Sequence, residues 1–132
     1  MVAPMRQDLV RLGFAEMRTT EDVEGLLESS GTVLLAVNSV CGCSAGAMRP
    51  AVAMALENEA KPDLRTTVFA GVDMDATERA REYLVGYPPS SPSVALLHDG
   101  KLVYMMERHE IEGRGPEAIA ADLRAAFDQH CG

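Results

Sequence analysis

The chain reads as an α/β protein, with a central mixed β-sheet flanked by helices. Three observations predict this. The runs 32–37 and 66–72 are apolar, β-branched and continuous rather than alternating, which fits strands buried on both faces. A long segment with helical spacing separates them, which implies a parallel pair joined by a right-handed crossover. Further on, Asp99-Gly100 divides two short apolar runs, a strong local signal for a hairpin.

The sequence has 132 residues, enough for one domain with a real core, and 47% of them are apolar. One domain over 1–132 is expected. The formal net charge of −8 argues against a phosphate-binding face, so no nucleic-acid partner is expected. No run approaches the roughly 20 apolar residues of a membrane span, so no membrane partner is expected either. Arg6, Asp8 and Arg11 interrupt the first dozen residues where a signal peptide would carry its apolar stretch. A cytoplasmic protein is the expectation. Its three cysteines, two of them separated by one residue, do not form the framework of a secreted scaffold; in a reducing compartment such a pair is catalytic, redox-sensing or metal-binding.

The elements follow in order. Pro4 opens a short helix to about Leu12, stopped at Gly13, and 14–17 is short enough for an edge strand. Thr19-Thr20 supplies an N-cap, with Glu21, Asp22 and Glu24 in the first turn, where negative charge is favoured. Val23, Leu26 and Leu27 give this helix its apolar stripe, and Gly31 ends it. After the strand at 32–37 comes Asn38-Ser39-Val40-Cys41-Gly42-Cys43-Ser44-Ala45-Gly46, then helical spacing from Ala45 to about Ala60. Met48, Val52, Met54 and Ala55 lie on its apolar side; Pro50 predicts a kink or a split, and Pro62 closes it. The strand at 66–72 leads to a short charged helix at 77–84, then to the proline-rich loop 86–92. Strands at 93–97 and 102–106 make the hairpin. Gly115-Pro116 opens the last helix, whose core face carries Ile119, Leu123 and Phe127.

The cysteines therefore sit on a strand-to-helix turn, at or near the first turn of the helix. Backbone N–H groups there lack partners and the helix dipole presents partial positive charge, so a thiol is biased toward thiolate. A free thiol of pKa about 8.5 is only about 3% ionised at pH 7; a shift to about 7 makes it half thiolate, for roughly 2 kcal/mol of differential stabilisation. Cys41 lies further toward the helix start and is expected to be the more exposed thiol. One intervening residue closes a small, strained disulfide ring, for which Gly42 supplies the backbone freedom. Strain makes a disulfide easier to reduce, which suits release or shuffling of mixed disulfides better than deep reduction.

The element order, a parallel β-α-β unit, an antiparallel hairpin and a covering helix, resembles the thioredoxin-like fold with an N-terminal extension. Within it, Asn38-Ser-Val-Cys-Gly-Cys43, Ala45-Gly46, Arg49-Pro50-Ala51, Ser91-Pro92-Ser93 and the segment 107–114 resemble the bacilliredoxins. That resemblance implies a thiol–disulfide oxidoreductase that removes bacillithiol from protein mixed disulfides, an activity accompanied in some members by disulfide isomerisation. It implies Cys41 as nucleophile and Cys43 as resolving thiol. It also implies a cis Pro92 that exposes the Ser91 backbone to an incoming disulfide. Asn38 and Gly42 complete the expected substrate-binding set. No bound cofactor is implied; bacillithiol acts as co-substrate. The implied partners are proteins carrying mixed disulfides and a recycling thiol or reductase. Thioredoxins have a buried aspartate where this chain has Leu35 and a tryptophan where it has Val40, so proton handling falls to solvent or to Asn38, Ser39 or Ser44.

A competing class is metal binding. Cys-x-Cys thiolates can hold zinc or copper(I), but zinc wants four ligands and the sequence shows no second cysteine–histidine cluster with ligand spacing. Cys131 would have to come from the far end of the chain. It reads otherwise as a second resolving thiol, a site of small-thiol modification or an incidental surface cysteine. Arg49 could face an anionic thiol substrate, although helical geometry sets it about two turns from Cys41.

Overall fold

The structure is a computed structural model that describes residues 7, 9–39 and 44–131. Along the chain run β1 (Ala15–Glu16), α1 (Thr20–Leu27), β2 (Thr32–Asn38), a π-helical turn (Ser44–Met48), α2 (Arg49–Ala55), β3 (Leu64–Phe69), α3 (Met74–Arg81), β4 (Ser93–His98), β5 (Lys101–Met106), α4 (Arg108–Ile111) and α5 (Pro116–His130). The five strands form one sheet in the order β1-β3-β2-β4-β5. β3 runs parallel to both β1 and β2, whereas β4 is antiparallel to β2 and β5 antiparallel to β4.

β2 is the central strand, and all seven of its residues are buried. Its alternation divides the core into two layers. Leu34 and Ala36 point to the face covered by α2 and α5, where Met48, Val52, Ile119, Leu123 and Phe127 pack. Val33, Leu35 and Val37 point to the face covered by α1 and α3, with Val23, Leu27, Ala76 and Ala80. This is the continuous apolar run predicted from the sequence. Two buried hydroxyls meet their hydrogen-bonding requirement across the sheet: Thr66 Oγ1 donates to Leu34 O at 2.9 Å, and Thr67 Oγ1 to Ala36 O at 2.7 Å.

Local signals fixed several boundaries. Thr19 caps α1, its hydroxyl accepting from the Asp22 N–H while the Asp22 carboxylate accepts from the Thr19 N–H, a reciprocal capping box. The hairpin turns on Asp99 and Gly100, with φ of 52° and 81°, the left-handed pair that matches strand twist. Pro116 sits in the first turn of α5.

Other boundaries moved. α1 stops at Leu27, where Ser29 Oγ turns back to Gly25 O at 3.1 Å; Gly31, at φ +88°, instead turns the chain into β2. The helix expected over 45–60 is split, as Pro50 requires. A proline has no N–H for the carbonyl four residues back and crowds it, and here wide π-helical geometry covers 44–48 before regular α-helix begins at Arg49. That α-helix ends at Ala55, with Arg124 Nη2 donating to the Met54 carbonyl at 3.0 Å. β3 begins and ends two to three residues earlier than its apolar run, since the chain turns at Gly71 with φ +85°. α3 likewise begins at Met74, the Thr77 N–H bonding to Asp73 O at 2.9 Å. The one-turn α4 was not anticipated.

Candidate active site

β2 delivers the chain to the thiol segment. Cys41, Gly42 and Cys43 lie outside the described residues, and their frame is built by what flanks them. Upstream, Asn38 and Ser39 are buried, and Asn38 Oδ1 accepts the Ser39 N–H at 2.9 Å at the strand's exit. Downstream, the helical turn starts at Ser44, immediately after Cys43. A strand thus ends at Asn38, three residues before Cys41, and a helical turn begins at Ser44, one residue after Cys43.

Three of the four predicted substrate-binding residues, Asn38, Ser91 and Pro92, lie at this end of the sheet, and Gly42 is outside the described residues. Asn38 pairs with Phe69 of β3, and the Ala70 N–H donates to Asn38 O at 2.9 Å. On the other side, the register that sets Val37 opposite Ser93 carries Pro92 alongside Asn38. The Ser91–Pro92 peptide bond is cis, as the resemblance implied, and Pro92 is buried. Asn38, Ser91 and Pro92 thus meet where the chain leaves β2 for Cys41.

Sequence reasoning did not single out Arg108. It opens α4, and its Nη1 donates to the Ser91 carbonyl at 3.2 Å, while its backbone N–H meets Ser90 Oγ at 3.4 Å. Ser93 Oγ closes the same loop by donating to Ser90 O at 3.1 Å. Arg108 is therefore a positioning residue for the loop, and the Ser91 carbonyl keeps a second lone pair for an incoming chain. The signal available in sequence was the 107–110 spacing: Glu107 and Glu110 form a capping box at the start of α4.

Arg49 opens α2 directly after the turn at 44–48 and is buried, 6% exposed. Leu35 is fully buried against the α1 and α3 layer, an apolar site where thioredoxins keep their aspartate. Cys131 ends α5 at the opposite end of the sheet. It interacts with Thr32, at the start of β2, and burial pushes its thiol upward, away from the reactive thiolate. The ends of a seven-residue strand are roughly 20 Å apart, which separates Cys131 from the β2 exit. Among the described residues, the one cluster with metal-ligating groups in reach of each other is Glu107, His109 and Glu110, within 4.8 Å. Two of its members are the α4 capping box, so the cluster is accounted for by helix capping. No helix among the described residues is long and apolar enough to cross a membrane.

Comparison with known proteins extends this picture. The chain matches the disulphide isomerase family over residues 1–131. It is 53% identical over 131 residues to a bacilliredoxin of Geobacillus kaustophilus, covering 99% of this chain and 90% of that protein. It is 50% identical over 133 residues to one of Koribacter versatilis, covering 100% and 92%. Among solved structures, a putative oxidoreductase with a thioredoxin fold superposes with a TM-score of 0.65 at 15% identity, covering 86% of this chain and 91% of that one. Mitochondrial thioredoxin 3 of Saccharomyces cerevisiae gives a TM-score of 0.59 at 18% identity, covering 89% and 96%. The fold is that of thioredoxin, and fold and relatives together support a thiol–disulfide oxidoreductase. With half of its residues identical across nearly the full length of both chains, this chain belongs to the bacilliredoxin family.

Proposed function

We propose that this protein removes bacillithiol from mixed disulfides on cytoplasmic proteins. The Cys41 thiolate attacks the bacillithiol sulfur. The protein–bacillithiol S–S bond breaks, the substrate leaves as its thiolate, and Cys41 carries the small thiol as a new mixed disulfide. Cys43 attacks Cys41, the small thiolate leaves, and a Cys41–Cys43 disulfide remains. A thiol reductant of the cell then returns two electrons and two protons to that pair. A second small thiol attacking the adduct's outer sulfur is the alternative exit. The same exchange between two protein cysteines would give isomerase activity. The reaction needs no bound cofactor, since the electrons travel in the thiols themselves.

The observation that carries this reading is the placement at one sheet end of Asn38, where β2 ends shortly before Cys41, and of the cis Ser91–Pro92 step that precedes β4. An extended chain carrying a mixed disulfide can pair with the Ser91 backbone there and present its sulfur to the turn. Membership of the bacilliredoxin family supports bacillithiol as the small thiol.

The test is release. A single-cysteine reporter protein loaded with bacillithiol is mixed with reduced protein, and free reporter is followed by mass. The reading expects release that requires Cys41. Release from glutathione-loaded but not bacillithiol-loaded reporter would keep the chemistry and overturn the substrate. No release from either would overturn the enzyme.

A further inference from the structure

At the end of the sheet where β2 and β3 finish, α3 and the proline-rich loop enclose a cavity of about 290 Å³, lined by Gly71, Met74, Thr77, Glu78, Arg81 and Pro89. That size is at the low end of small-molecule sites, roughly 300–1,000 Å³, and ligands of open α/β sheets bind at the carboxyl ends of their strands. Two of its lining residues adjoin the elements that build the candidate active site. Gly71 follows β3, whose neighbour Ala70 is bonded to Asn38, and Pro89 is three residues from the cis Pro92.

Met74, Thr77, Glu78 and Arg81 recur at i, i+3, i+4 and i+7, so one face of α3 forms a wall. The two arginines of this helix differ. Arg79, on another face, is engaged by Glu24 at 3.1 Å, Glu82 at 2.8 Å and Glu28 at 3.8 Å. Arg81 is half-buried, its Nε is buried with no hydrogen-bond partner, and no carboxylate among the described residues pairs with it. Acidic residues outnumber basic ones 20 to 12 in this chain, yet this half-buried guanidinium has no ion pair among the described residues, with Glu78 its neighbour one turn away. Glu78 stands on the same wall, exposed and without an ion pair among the described residues. The cavity thus offers one cation and one anion on a partly apolar floor of Met74 and Pro89.

We propose that this cavity is the subsite for the body of the small thiol: it takes a zwitterionic low-molecular-weight thiol, with a carboxylate on Arg81 and an ammonium on Glu78. This rests on the proposed release reaction and adds the group that distinguishes the small thiol from the substrate protein.

Two measurements test it. In the first, one reporter protein is loaded with bacillithiol or with 2-mercaptoethanol, which has no charge. Arg81→Ala is expected to slow bacillithiol release about tenfold, the effect of one charge-assisted contact, and to leave mercaptoethanol release unchanged. Arg81→Lys is expected to recover part of the loss. Equal effects on both adducts, or none on either, would overturn the subsite while wild-type release continued to support the enzyme. In the second, S-methylated bacillithiol, which cannot exchange, is titrated against the wild type by amide NMR. Shifts at Gly71, Thr77, Glu78 and Arg81 that vanish in Arg81→Ala support the subsite even if no reporter is turned over. Shifts confined to other regions, or no shifts, overturn it.

Discussion

Replacing Arg108 by alanine tests whether the Ser90–Pro92 loop is held from α4. Among the described residues, the side chain makes two charged contacts that disappear: Nη1 to the Ser91 carbonyl at 3.2 Å, and Nε to Glu112 Oε1 at 2.9 Å. The second is an i,i+4 pair with side chains 42% and 50% exposed, worth about 0.3–0.5 kcal/mol. A hydrogen bond from a charged donor is worth about 1.5–3 kcal/mol when buried; at this length and exposure about 1 kcal/mol is reasonable. The sum, about 1.5 kcal/mol, corresponds to a fall in Tm of roughly 5 °C for a chain of this size. Glu112→Ala removes only the surface pair and should cost at most about 0.5 kcal/mol. Chemical denaturation followed by circular dichroism reads both. Turnover adds the functional half. Loss of Arg108 loosens the Ser91 backbone that an incoming disulfide pairs with, so the KM for a mixed-disulfide protein should rise several-fold. Arg108→Lys should rescue little, because an ammonium cannot reach Ser91 and Glu112 with two directed donors. The reasoning fails if Arg108→Ala and Glu112→Ala are equally stable and turn over substrate alike.

Three further outcomes follow from the packing and the charges. Leu123→Ala opens a hole between α5 and the sheet, where the side chain is fully buried, and should cost about 2–5 kcal/mol in urea unfolding. Gly31→Ala places a Cβ 2.5 Å from Asp63 Oδ2 at φ +88°, and that carboxylate already holds the Thr32 N–H and hydroxyl; a loss above about 1 kcal/mol is expected, whereas Gly25→Ala, with nothing within 4 Å, should be neutral or stabilising. Burial pushes the Tyr104 phenol up to about 12, and burial with a hydrogen bond to Glu28 does the same for Tyr83. Both favour the protonated phenol in the native state. Their contribution to stability is therefore complete below pH 10 and is lost as pH rises from about 10 toward 12, which absorbance titration of the wild type and Tyr104→Phe would resolve.

The fold was legible wherever a residue type forces a backbone geometry or a burial pattern. The unbroken run before Asn38 demanded two covered faces and has them; Asp99-Gly100 demanded a left-handed turn; Pro50 demanded a break in the helix and sits just after a π-helical turn. Boundaries were less legible where competing local bonds decide them. Ser29 ends α1 earlier than the glycine does, and the Asp73 carbonyl starts α3 earlier than its apolar pattern suggests. At the site, the cis Ser91–Pro92 step is as the resemblance implied, while Cys41 and Cys43 lie outside the described residues. Arg108 and Arg81 were not legible in the sequence, for a shared reason. Each depends on what lies near it in space: a carbonyl 17 residues away in one case, the lining of a cavity in the other. Arg49 shows the converse, a cation suggestive in sequence and buried in the fold.

The central claim, that Cys41 takes the small thiol and Cys43 releases it, is tested most directly by intact-mass analysis of Cys41→Ser and Cys43→Ser after each is mixed with a bacillithiolated reporter. The account predicts that Cys43→Ser accumulates one bacillithiol adduct, mapped to Cys41, while Cys41→Ser stays bare and the reporter keeps its adduct. An adduct on Cys43 in the Cys41→Ser variant, with none on Cys41 in the other, would reverse the roles. No adduct on either variant, with the reporter unchanged, would contradict the account.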